Sequence, residues 1–446
     1  MAGNSVKNDT IVKGVFEDTN DRLSKKDACM LMALWMEMSP LAKIPQQPIK
    51  DSSECHEIKK VGVVVLDANG KLFASDFSHE FAHGVMSTLF KHKQKLAGGI
   101  MFVSRKPCYD CTKHMIQAGI KTVYYFPVVP EVADKENLAV ADHIFKVSHI
   151  AVKAFIPKVK KTRNHNSPFT KAVREDEIRK GKHKLEEFFG QDIIEENEYV
   201  LSDIQIPDTS TRNRRKEDFL EVMNWLARKA MGDVPSTLRI DYQANQYIPQ
   251  TLKSILENQD FVRHAAAMTH ILSHRTDDPE TGVGAALISH TGDYLGFGYN
   301  GYQLDAEETD FPGLGDKNEP DKRKVKYSYI VHAETNALLF SNKSEFDPEK
   351  TLLVTSKVPC NHCTLHLRHV GIKYVIIPDD RAHRTAKSQT IGYGLFDDYC
   401  KDKHFNKYVL KESHPQGAIA ARRQLQSDSD ISADQPGAKV ARSDGN

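Results

Sequence analysis

Two short motifs in the C-terminal half of the chain combine side chains that bind transition metals with one that transfers protons. The tripeptide HAE is followed, after twenty-four residues, by the pentapeptide PCNHC. A catalytic zinc ion needs three protein ligands and one open position for water, and an imidazole with two thiolates provides such a set. The sequence therefore predicts that His332, Cys360 and Cys363 bind Zn²⁺. Glu334, two residues after the histidine, is predicted to lie beside the metal and to act as the acid and base.

The local sequence predicts that these side chains stand at the starts of two helices. Cys360 and Cys363 are three residues apart, so both thiolates project from one face of a first helical turn. Pro359 suits the entry to that helix because it has no N–H to leave unpaired. A C-x-x-C pair alone is also typical of structural zinc and redox sites. The HAE motif at this distance favours a catalytic centre instead, with His332 on a second helix.

The pattern of elements around this centre occurs twice along the chain. The first half contains VGVVVLD, KLFASDF, a helix, GIMFVS, PCYDC and QAGIKTVYYFP, and the second contains VGAALIS, YLGFGYNG, the HAE helix, TLLVTS, PCNHC and HVGIKYVIIP. Such internal similarity predicts two copies of one structural unit. The order of strands and helices predicts the α/β class, with each unit an αβα arrangement of a five-stranded mixed sheet flanked by helices.

The first copy retains the metal-binding side chains but lacks the acid. In the alignment of the repeats, His83, Cys108 and Cys111 take the places of the three ligands, whereas Val85 stands where Glu334 does. An aliphatic side chain cannot carry a proton, so this copy is predicted to be catalytically inactive. A structural zinc and an empty pair of buried cysteines both fit the first copy, and the three retained ligand types favour zinc. The sequence does not decide whether this copy keeps a pocket that binds a regulatory nucleotide or only supports the other copy.

These observations divide the chain into five predicted segments. Two basic clusters of the connector, KVKKTRNH and TRNRRKE, fit a solvated face, phosphate contact or nuclear import. The tail is poor in aromatic residues, which is typical of disorder. The segments are a mobile lead (1–17), a catalytically inactive first copy of the unit (18–155), a charged and partly helical connector (156–250), an active second copy (251–412) and a disordered tail (413–446).

Composition limits the class of protein. A chain of 446 residues with 40% hydrophobic and 27% charged residues predicts a globular protein of two or three domains. Its net charge of +1 provides no field that would favour nucleic acid. Seven cysteines, most of them in C-x-x-C pairs, fit a reducing compartment. Because no signal peptide or membrane-length apolar run is visible, we expect a cytoplasmic or nuclear protein with no membrane partner.

From about residue 261 to 378 the second copy resembles the dCMP deaminases, which belong to the zinc deaminases that share the H-x-E and P-C-x-x-C motifs. The segments that carry the resemblance are HRTDDPETGVGAALI, FGYNGY, IVHAETNALL and PCNHC with the following HVGIKYVII. The layout of two copies resembles a vertebrate family, the cytidine and dCMP deaminase domain-containing proteins. This resemblance implies hydrolytic deamination of a deoxycytidine nucleotide, with dCTP favoured and dCMP as the alternative, in a homo-oligomer.

The resemblance also implies substrate contacts. Asn300 is similar to a position that contacts sugar or phosphate, and Arg275 to one on the phosphate side; a turn-stabilising amide and a surface cation are their other interpretations. The loop before the HAE helix departs from the dCMP deaminases, being acidic and then basic. Its cations are predicted to receive additional phosphates or to form an exposed charged loop. They are Lys322, Arg323, Lys324 and Lys326.

Two other functions fit parts of the pattern. A polynucleotide cytosine deaminase uses the same zinc motif, but needs a basic groove and exposed aromatic residues for single strands. The near-neutral charge and the presence of only two tryptophans argue against it. The second is a metal-stabilised scaffold with both copies inert, and the intact Glu334 argues against that.

Overall fold

The computed structural model describes residues 22–46, 57–92, 96–148, 150–159, 169, 174–190, 209–242, 246–278, 281–303, 320–379 and 392–413. The lead predicted for residues 1–17 lies outside these ranges. The predicted tail also lies outside them, apart from its first residue, as does most of the KVKKTRNH cluster.

The first unit is built on a five-stranded mixed sheet. Its strand order is β2-β1-β3-β4-β5, with β1 antiparallel to both neighbours and the last three strands parallel. Gly62 opens β1 where the sheet meets α1, and a Cβ there would lie 2.0 Å from the backbone oxygen of Ala33. The elements are α1 (Lys25–Glu37), β1 (Gly62–Leu66), β2 (Leu72–Phe77), α2 (Gly84–Lys91), β3 (Ile100–Val103), α3 (Tyr109–Gln117), β4 (Thr122–Tyr125), α4 (Lys135–Val147) and β5 (Ala151–Ala154).

The connector contributes helices and one strand. Each of its two longer helices continues directly into a short π-helical turn, at Glu186–Gly190 and Ala227–Gly232. None of the described helices is both long and apolar enough to cross a lipid bilayer. The elements are α5 (Glu175–Leu185), α6 (Thr209–Leu226) and β6 (Leu238–Asp241).

The second unit repeats this arrangement on a six-stranded sheet. Its strand order is β6-β11-β10-β9-β7-β8, in which β9, β10 and β11 are parallel and the other pairs antiparallel. The predicted α/β class with two helix-flanked mixed sheets is confirmed. The elements are α7 (Lys253–Glu257), α8 (Gln259–Ser273), β7 (Gly284–Ser289), β8 (Tyr294–Tyr299), α9 (Ala333–Leu339), β9 (Thr351–Thr355), α10 (Asn361–His369), β10 (Tyr374–Pro378), α11 (Gly394–Lys401) and β11 (Asn406–Glu412).

The second sheet has one strand more than the five that the repeat predicts. The additional strand is β6, which pairs antiparallel with β11 and comes from the connector rather than from the repeated unit. An edge strand exposes unpaired backbone N–H and C=O groups. By pairing with β11, β6 satisfies groups that the repeat alone would leave at the edge.

Alternate residues of each sheet face two different hydrophobic cores. In β1, Val64 faces a core that both units share, whereas Val63 and Val65 face a core formed by the first unit alone. The shared core contains buried residues of α1, α8, the connector helices and both sheets. Helices α2 and α3 contribute to the core formed by the first unit alone, and α9 and α10 to the corresponding core of the second. The helices that carry the metal-binding motifs therefore lie on the faces turned away from the shared core.

The two units pack against each other within the chain. Between α1 and α8, Nε1 of Trp35 donates a hydrogen bond to the backbone oxygen of His264 at 3.0 Å. Nε2 of His264 lies 2.8 Å from the backbone oxygen of Trp35, and the two rings are stacked with centroids 5.1 Å apart. The edge strands β2 and β8 lie side by side, so the sheets meet edge to edge.

Candidate active site and metal centres

The first turns of α9 and α10 bring the side chains of the second metal motif together. His332 and Cys360 are the N-cap residues of these two helices. Nδ1 of His332 lies 3.2 Å from Sγ of Cys360 and 3.4 Å from Sγ of Cys363. The three donor atoms lie within 4.8 Å of one another, which places them around one point in space.

These separations fit zinc. Zinc bonds to nitrogen and sulfur are 2.0–2.3 Å long, so two donors of a tetrahedral site are separated by roughly 3.3–3.8 Å. The distances of 3.2 and 3.4 Å from Nδ1 of His332 to the two sulfur atoms are close to this range. One nitrogen and two sulfurs leave the fourth position of the tetrahedron for water, as a catalytic site requires.

The Glu334 carboxylate lies beside this donor group without being part of it. Oε2 of Glu334 is 3.4 Å from Sγ of Cys363, and the side chain is buried. Among the described residues, the set of mutually close donor atoms contains the histidine and both cysteines but not this carboxylate. Burial raises the pKa of Glu334, an effect that the charge of His332 opposes. A carboxyl group with a raised pKa is suited to accept and return a proton near neutral pH.

The two thiols of the PCNHC motif have opposite pKa shifts. The hydrogen bond from Cys363 lowers the pKa of Cys360 to about 3, and a hydrogen bond with His332 contributes to the lowering. The hydrogen bond with Cys360, together with burial, raises the pKa of Cys363. Cys360 also stands at the N-terminus of α10, where the helix dipole favours an anion. Cys360 is therefore prepared for the thiolate form that binds metal.

Polar residues of α9 hold the centre in place, and sequence reasoning did not identify them. Nδ2 of Asn336 donates to the backbone oxygen of Tyr299 at 2.8 Å, which ties α9 to the end of β8. Oγ1 of Thr335 lies 3.2 Å from Nδ1 of His366 on α10. The available signal for Asn336 was a polar residue one turn after His332, on the buried face of the helix.

Asn300 organises the loop that leads into β7. Its Oδ1 accepts hydrogen bonds from Oγ1 of Thr276 at 2.8 Å and from the backbone N–H of Val283 at 2.7 Å. Its Nδ2 donates to the backbone oxygen of Thr281 at 2.8 Å. Both lone pairs of the amide oxygen are thereby used, and the contact of Asn300 with substrate stays a prediction.

Arg275 is buried at the boundary between the units. Its Nη1 donates to Oδ1 of Asp277 at 3.0 Å, and the guanidinium lies 5.2 Å from the ring centroid of Tyr299. It lines a small cavity whose wall also includes Cys29 of α1 and Phe340. In the part of the chain that the structure describes, no residue of the second metal centre lines that cavity. The contact of Arg275 with substrate phosphate stays a prediction.

The four predicted cations before α9 have different surroundings. Lys326 is buried, and its Nζ donates to Oδ1 of Asp278 at 2.6 Å. Arg323 is exposed, with its Nε 2.9 Å from Oδ1 of Asp321, and Lys324 is exposed as well. The side chain of Lys322 lies outside the described residues.

The first metal centre is formed in the same way, at the starts of α2 and α3. Nδ1 of His83 lies 3.5 Å from the sulfur atoms of both Cys108 and Cys111. A fourth donor, Glu131, belongs to the same group of mutually close atoms. Burial lowers the pKa of His83, but hydrogen bonds with Cys108 and Glu131 outweigh it and raise the pKa to about 11. Val85 is fully buried in α2, in the place that Glu334 has in α9.

Sequence reasoning did not identify Glu131. It follows the end of β4 by six residues and belongs to no recognised motif. Its proximity to His83 and the cysteines arises only when the chain after β4 folds back over the N-terminus of α3.

Comparison with known proteins identifies the repeated unit. The sequence model of the cytidine and deoxycytidylate deaminase zinc-binding region matches twice, at residues 42–127 and 257–378, which contain the first and second metal motifs. The matched region is a zinc-binding one and the donor groups fit this metal, so zinc is the cofactor.

Two relatives agree with the family match in sequence. The chain is 25% identical over 410 residues to the cytidine and dCMP deaminase domain-containing protein 1 of Danio rerio, a match that covers 80% of this chain and 84% of that protein. It is 30% identical over 145 residues to the deoxycytidylate deaminase of Pongo abelii, covering 32% of this chain and 78% of that protein. A solved structure of apo dCMP deaminase from cyanophage S-TIM5 is 19% identical with a TM-score of 0.22, covering 32% of this chain and 90% of that one. The resemblance found in the motifs is confirmed: the chain belongs to the cytidine and deoxycytidylate deaminase family.

Proposed function

We propose that this protein hydrolytically deaminates a deoxycytidine nucleotide, with dCTP favoured and dCMP as the alternative substrate. The observation that carries the proposal is the buried carboxylate of Glu334, 3.4 Å from Sγ of Cys363 and next to a zinc-type donor group. In the reaction, water replaces the exocyclic amino group of cytosine, so a C–O bond forms, the C–N bond breaks, and uracil and ammonia result.

The residues of the second centre are suited to this reaction. Zinc, when bound by His332, Cys360 and Cys363, supplies the Lewis acidity that makes hydroxide available near neutral pH. The carboxylate of Glu334 takes the proton that water releases and delivers it to the N3 atom of the ring. The same carboxyl group then protonates the departing amine. Its burial and raised pKa favour both steps, because the proton is held without being lost to solvent.

Support for a triphosphate comes from the approach to α9. The exposed Arg323 and Lys324 lie shortly before the helix and are suited to charge-assisted contacts with phosphate. Relatives whose names state deoxycytidylate deaminase support dCMP to a similar extent. A polynucleotide substrate is less favoured because the net charge of the chain is only +1.

The first unit is proposed to be a pseudo-catalytic copy. Val85 occupies the position from which Glu334 acts in the second unit, and it is fully buried. A side chain of carbon and hydrogen supplies no group that can exchange a proton. Homo-oligomer formation and a cytoplasmic or nuclear location stay predictions.

The proposal is tested by measuring ammonia release from a panel of substrates. The purified full-length, zinc-loaded protein is incubated with deoxycytidine, dCMP, dCTP, CTP and a cytosine-containing single-stranded oligodeoxynucleotide. We expect turnover of dCTP above dCMP, with the oligonucleotide unchanged and the Glu334→Ala protein inactive throughout. Turnover of dCMP without turnover of dCTP would show that dCMP is the substrate. Reaction of the oligonucleotide alone, or no reaction with any compound of the panel, would overturn the proposal.

A further inference from the structure

The first metal centre contains one more donor than the second, among the residues that the structure describes. Oε1 of Glu131 lies 3.0 Å from Nδ1 of His83. His83, Cys108, Cys111 and Glu131 form one group of mutually close donor atoms, whereas the second centre brings together a histidine and two cysteines. The additional donor changes the number of positions that remain for water.

The Glu131 carboxylate is buried within the centre and faces the His83 ring. The residue is fully buried, and its Oε2 accepts a hydrogen bond from the backbone N–H of Cys108 at 3.1 Å. Its Oε1 is also buried and faces Nδ1 of His83 at 3.0 Å. A buried carboxylate is unfavourable unless a positive charge compensates it. A metal ion held by the neighbouring donors provides that charge.

The backbone fixes this carboxylate in position. The N–H of Glu131 donates to the backbone oxygen of Lys106 at 3.0 Å, and the N–H of Lys59 donates to the backbone oxygen of Glu131 at 2.8 Å. The segment is thus held from both sides, next to the N-terminus of α3. Such anchoring is typical of a ligand whose geometry is set before the metal binds.

The separations from Nδ1 of His83 are close to those expected for four ligands around one zinc ion. Nδ1 of His83 is 3.5 Å from each sulfur atom and 3.0 Å from Oε1 of Glu131. Tetrahedral zinc donors are separated by roughly 3.3–3.8 Å, with the shorter values for nitrogen and oxygen. Structural zinc sites have four protein ligands, whereas catalytic sites keep one position open.

We propose that Glu131 is the fourth ligand of a closed, structural zinc site in the first unit. The first centre then differs from the second in two independent ways, since it lacks the proton carrier and also the open position for water. Glu131 lies beyond residue 127, where the first match to the family model ends, so that match does not include it. Restoring an acid by Val85→Glu alone therefore creates no second active site.

Cobalt substitution distinguishes a closed site from an open one. Both zinc ions are replaced by Co²⁺ in the full-length protein, and azide is added while the visible d–d absorption is recorded. A site with an open position binds azide and its spectrum changes; a site with four protein ligands does not. In the wild-type protein we expect about half of the cobalt signal to respond, and in Glu131→Ala all of it.

A variant that lacks the second metal centre shows which part of the cobalt absorption belongs to the first unit. After Cys360→Ser and Cys363→Ser, the cobalt that remains should belong to the first unit and should not respond to azide. A response of that remaining cobalt, or a protein that binds no metal after these substitutions, would overturn the proposal. The measurement needs no change in the first unit, so it stands even where the Glu131 variants fold poorly.

The Glu131→Gln variant distinguishes a role of Glu131 as a zinc ligand from a role as a helix-capping side chain. The amide oxygen still accepts the hydrogen bond from Cys108, but an amide is a weaker zinc ligand than a carboxylate. We expect zinc release to a chromogenic chelator from the first site to become at least about tenfold faster, since even outer-sphere partners of zinc contribute that much. Asp134→Ala is the matched control, because Asp134 accepts from the N–H of Asn137 and caps α4, and it is not one of the four donors of the centre. Equal release rates for wild type and Glu131→Gln would show that Glu131 only caps the helix.

Discussion

Val85 and Glu334 occupy equivalent places, two residues after a metal-binding histidine and in the first turn of a buried helix. Both side chains are buried, at 0% and 4% exposure respectively, so neither position is open to bulk water. The surroundings of the two residues therefore differ less than their chemistry does. A carboxylate can exchange a proton with a bound reactant and an isopropyl group cannot, and this difference separates the two copies of the unit.

Replacement of Glu334 by alanine is expected to remove turnover and leave the metal in place. General acid–base catalysis contributes about 10²–10⁴-fold, so kcat should fall by at least this factor. Zinc content should remain near the wild-type value, because the carboxylate lies outside the group of donor atoms. Ammonia release and zinc analysis by mass spectrometry measure the two quantities. His332→Ala, which removes a ligand, should lose activity and zinc together; zinc loss from Glu334→Ala would show that this residue binds the metal.

Lys326 forms a buried ion pair that its sequence context did not reveal. Its ammonium group is buried against Asp278, at a distance of 2.6 Å. Lys326→Met is expected to lower the free energy of unfolding by about 3–5 kcal/mol, because Asp278 loses this partner while remaining buried. Lys324→Met, at an exposed position two residues earlier, should change it by no more than about 0.5 kcal/mol. Denaturant titration measures both; an unchanged stability of Lys326→Met combined with a raised KM for dCTP would instead favour the phosphate contact.

At the level of elements, the sequence predicted what is encoded locally. Strand β1 was recognisable in the sequence as a continuous run of apolar residues. The two C-x-x-C motifs marked the starts of α3 and α10. Both signals depend on only a few consecutive residues. The role of Asn300 within its loop and the proximity of Glu131 to His83 depend on chain segments that meet only in the fold. Strand β6 has four residues and one pairing partner, β11, more than 160 positions later, so no local pattern could identify it.

The contact between α1 and α8 should determine how well the two units hold together. Trp35 is 6% exposed, stacks on His264 and donates a hydrogen bond to its backbone oxygen. Trp35→Ala is expected to lower the free energy of unfolding by about 3–5 kcal/mol through loss of buried contacts. Trp35→Phe keeps much of the apolar area but removes the hydrogen bond from Nε1, and about 0.5–1.5 kcal/mol should be lost. Thermal unfolding of both proteins tests the order; equal effects would mean that the hydrogen bond, and not the apolar contact, accounts for the loss.

At the scale of the whole molecule, an ion-pair network crosses from one unit to the other. Nζ of Lys91 lies 3.0 Å from Oδ2 of Asp76 in its own unit and 2.6 Å from Oδ1 of Asp293 in the second. Although burial raises the pKa of Asp76, hydrogen bonding to His79 and the charge of Lys91 lower it below its usual value. Burial raises the pKa of Asp293 as well, but the hydrogen bond from Lys91 has the opposite effect, and the pKa of Asp293 lies below its usual value.

This network predicts an acid-dependent stability. A carboxylate whose folded-state pKa is lowered stabilises the fold above its unfolded pKa, near 3.9, and that contribution is lost as pH falls through the folded value. Lys91→Met should therefore destabilise the protein at pH 7, and the difference from wild type should shrink below about pH 4. Denaturant titrations at both pH values measure the difference. The neighbouring Lys43→Met, at an exposed pair with Glu80, is the control; a difference that stayed constant with pH would contradict the role of the two carboxylates.

The core shared by α1, α8, the connector and both sheets has a consequence for any attempt to shorten the polypeptide. Residues as distant in sequence as Leu31, Phe219 and Tyr408 are buried in that single interior. The predicted limits of the active segment, 251–412, mark a repeat of sequence, but a fragment cut there would expose one complete apolar surface to water. Such a fragment should precipitate when expressed alone and regain solubility when the remaining polypeptide is supplied with it. The half that is proposed to be inactive would thus serve as a permanent folding partner of the half that is proposed to be active.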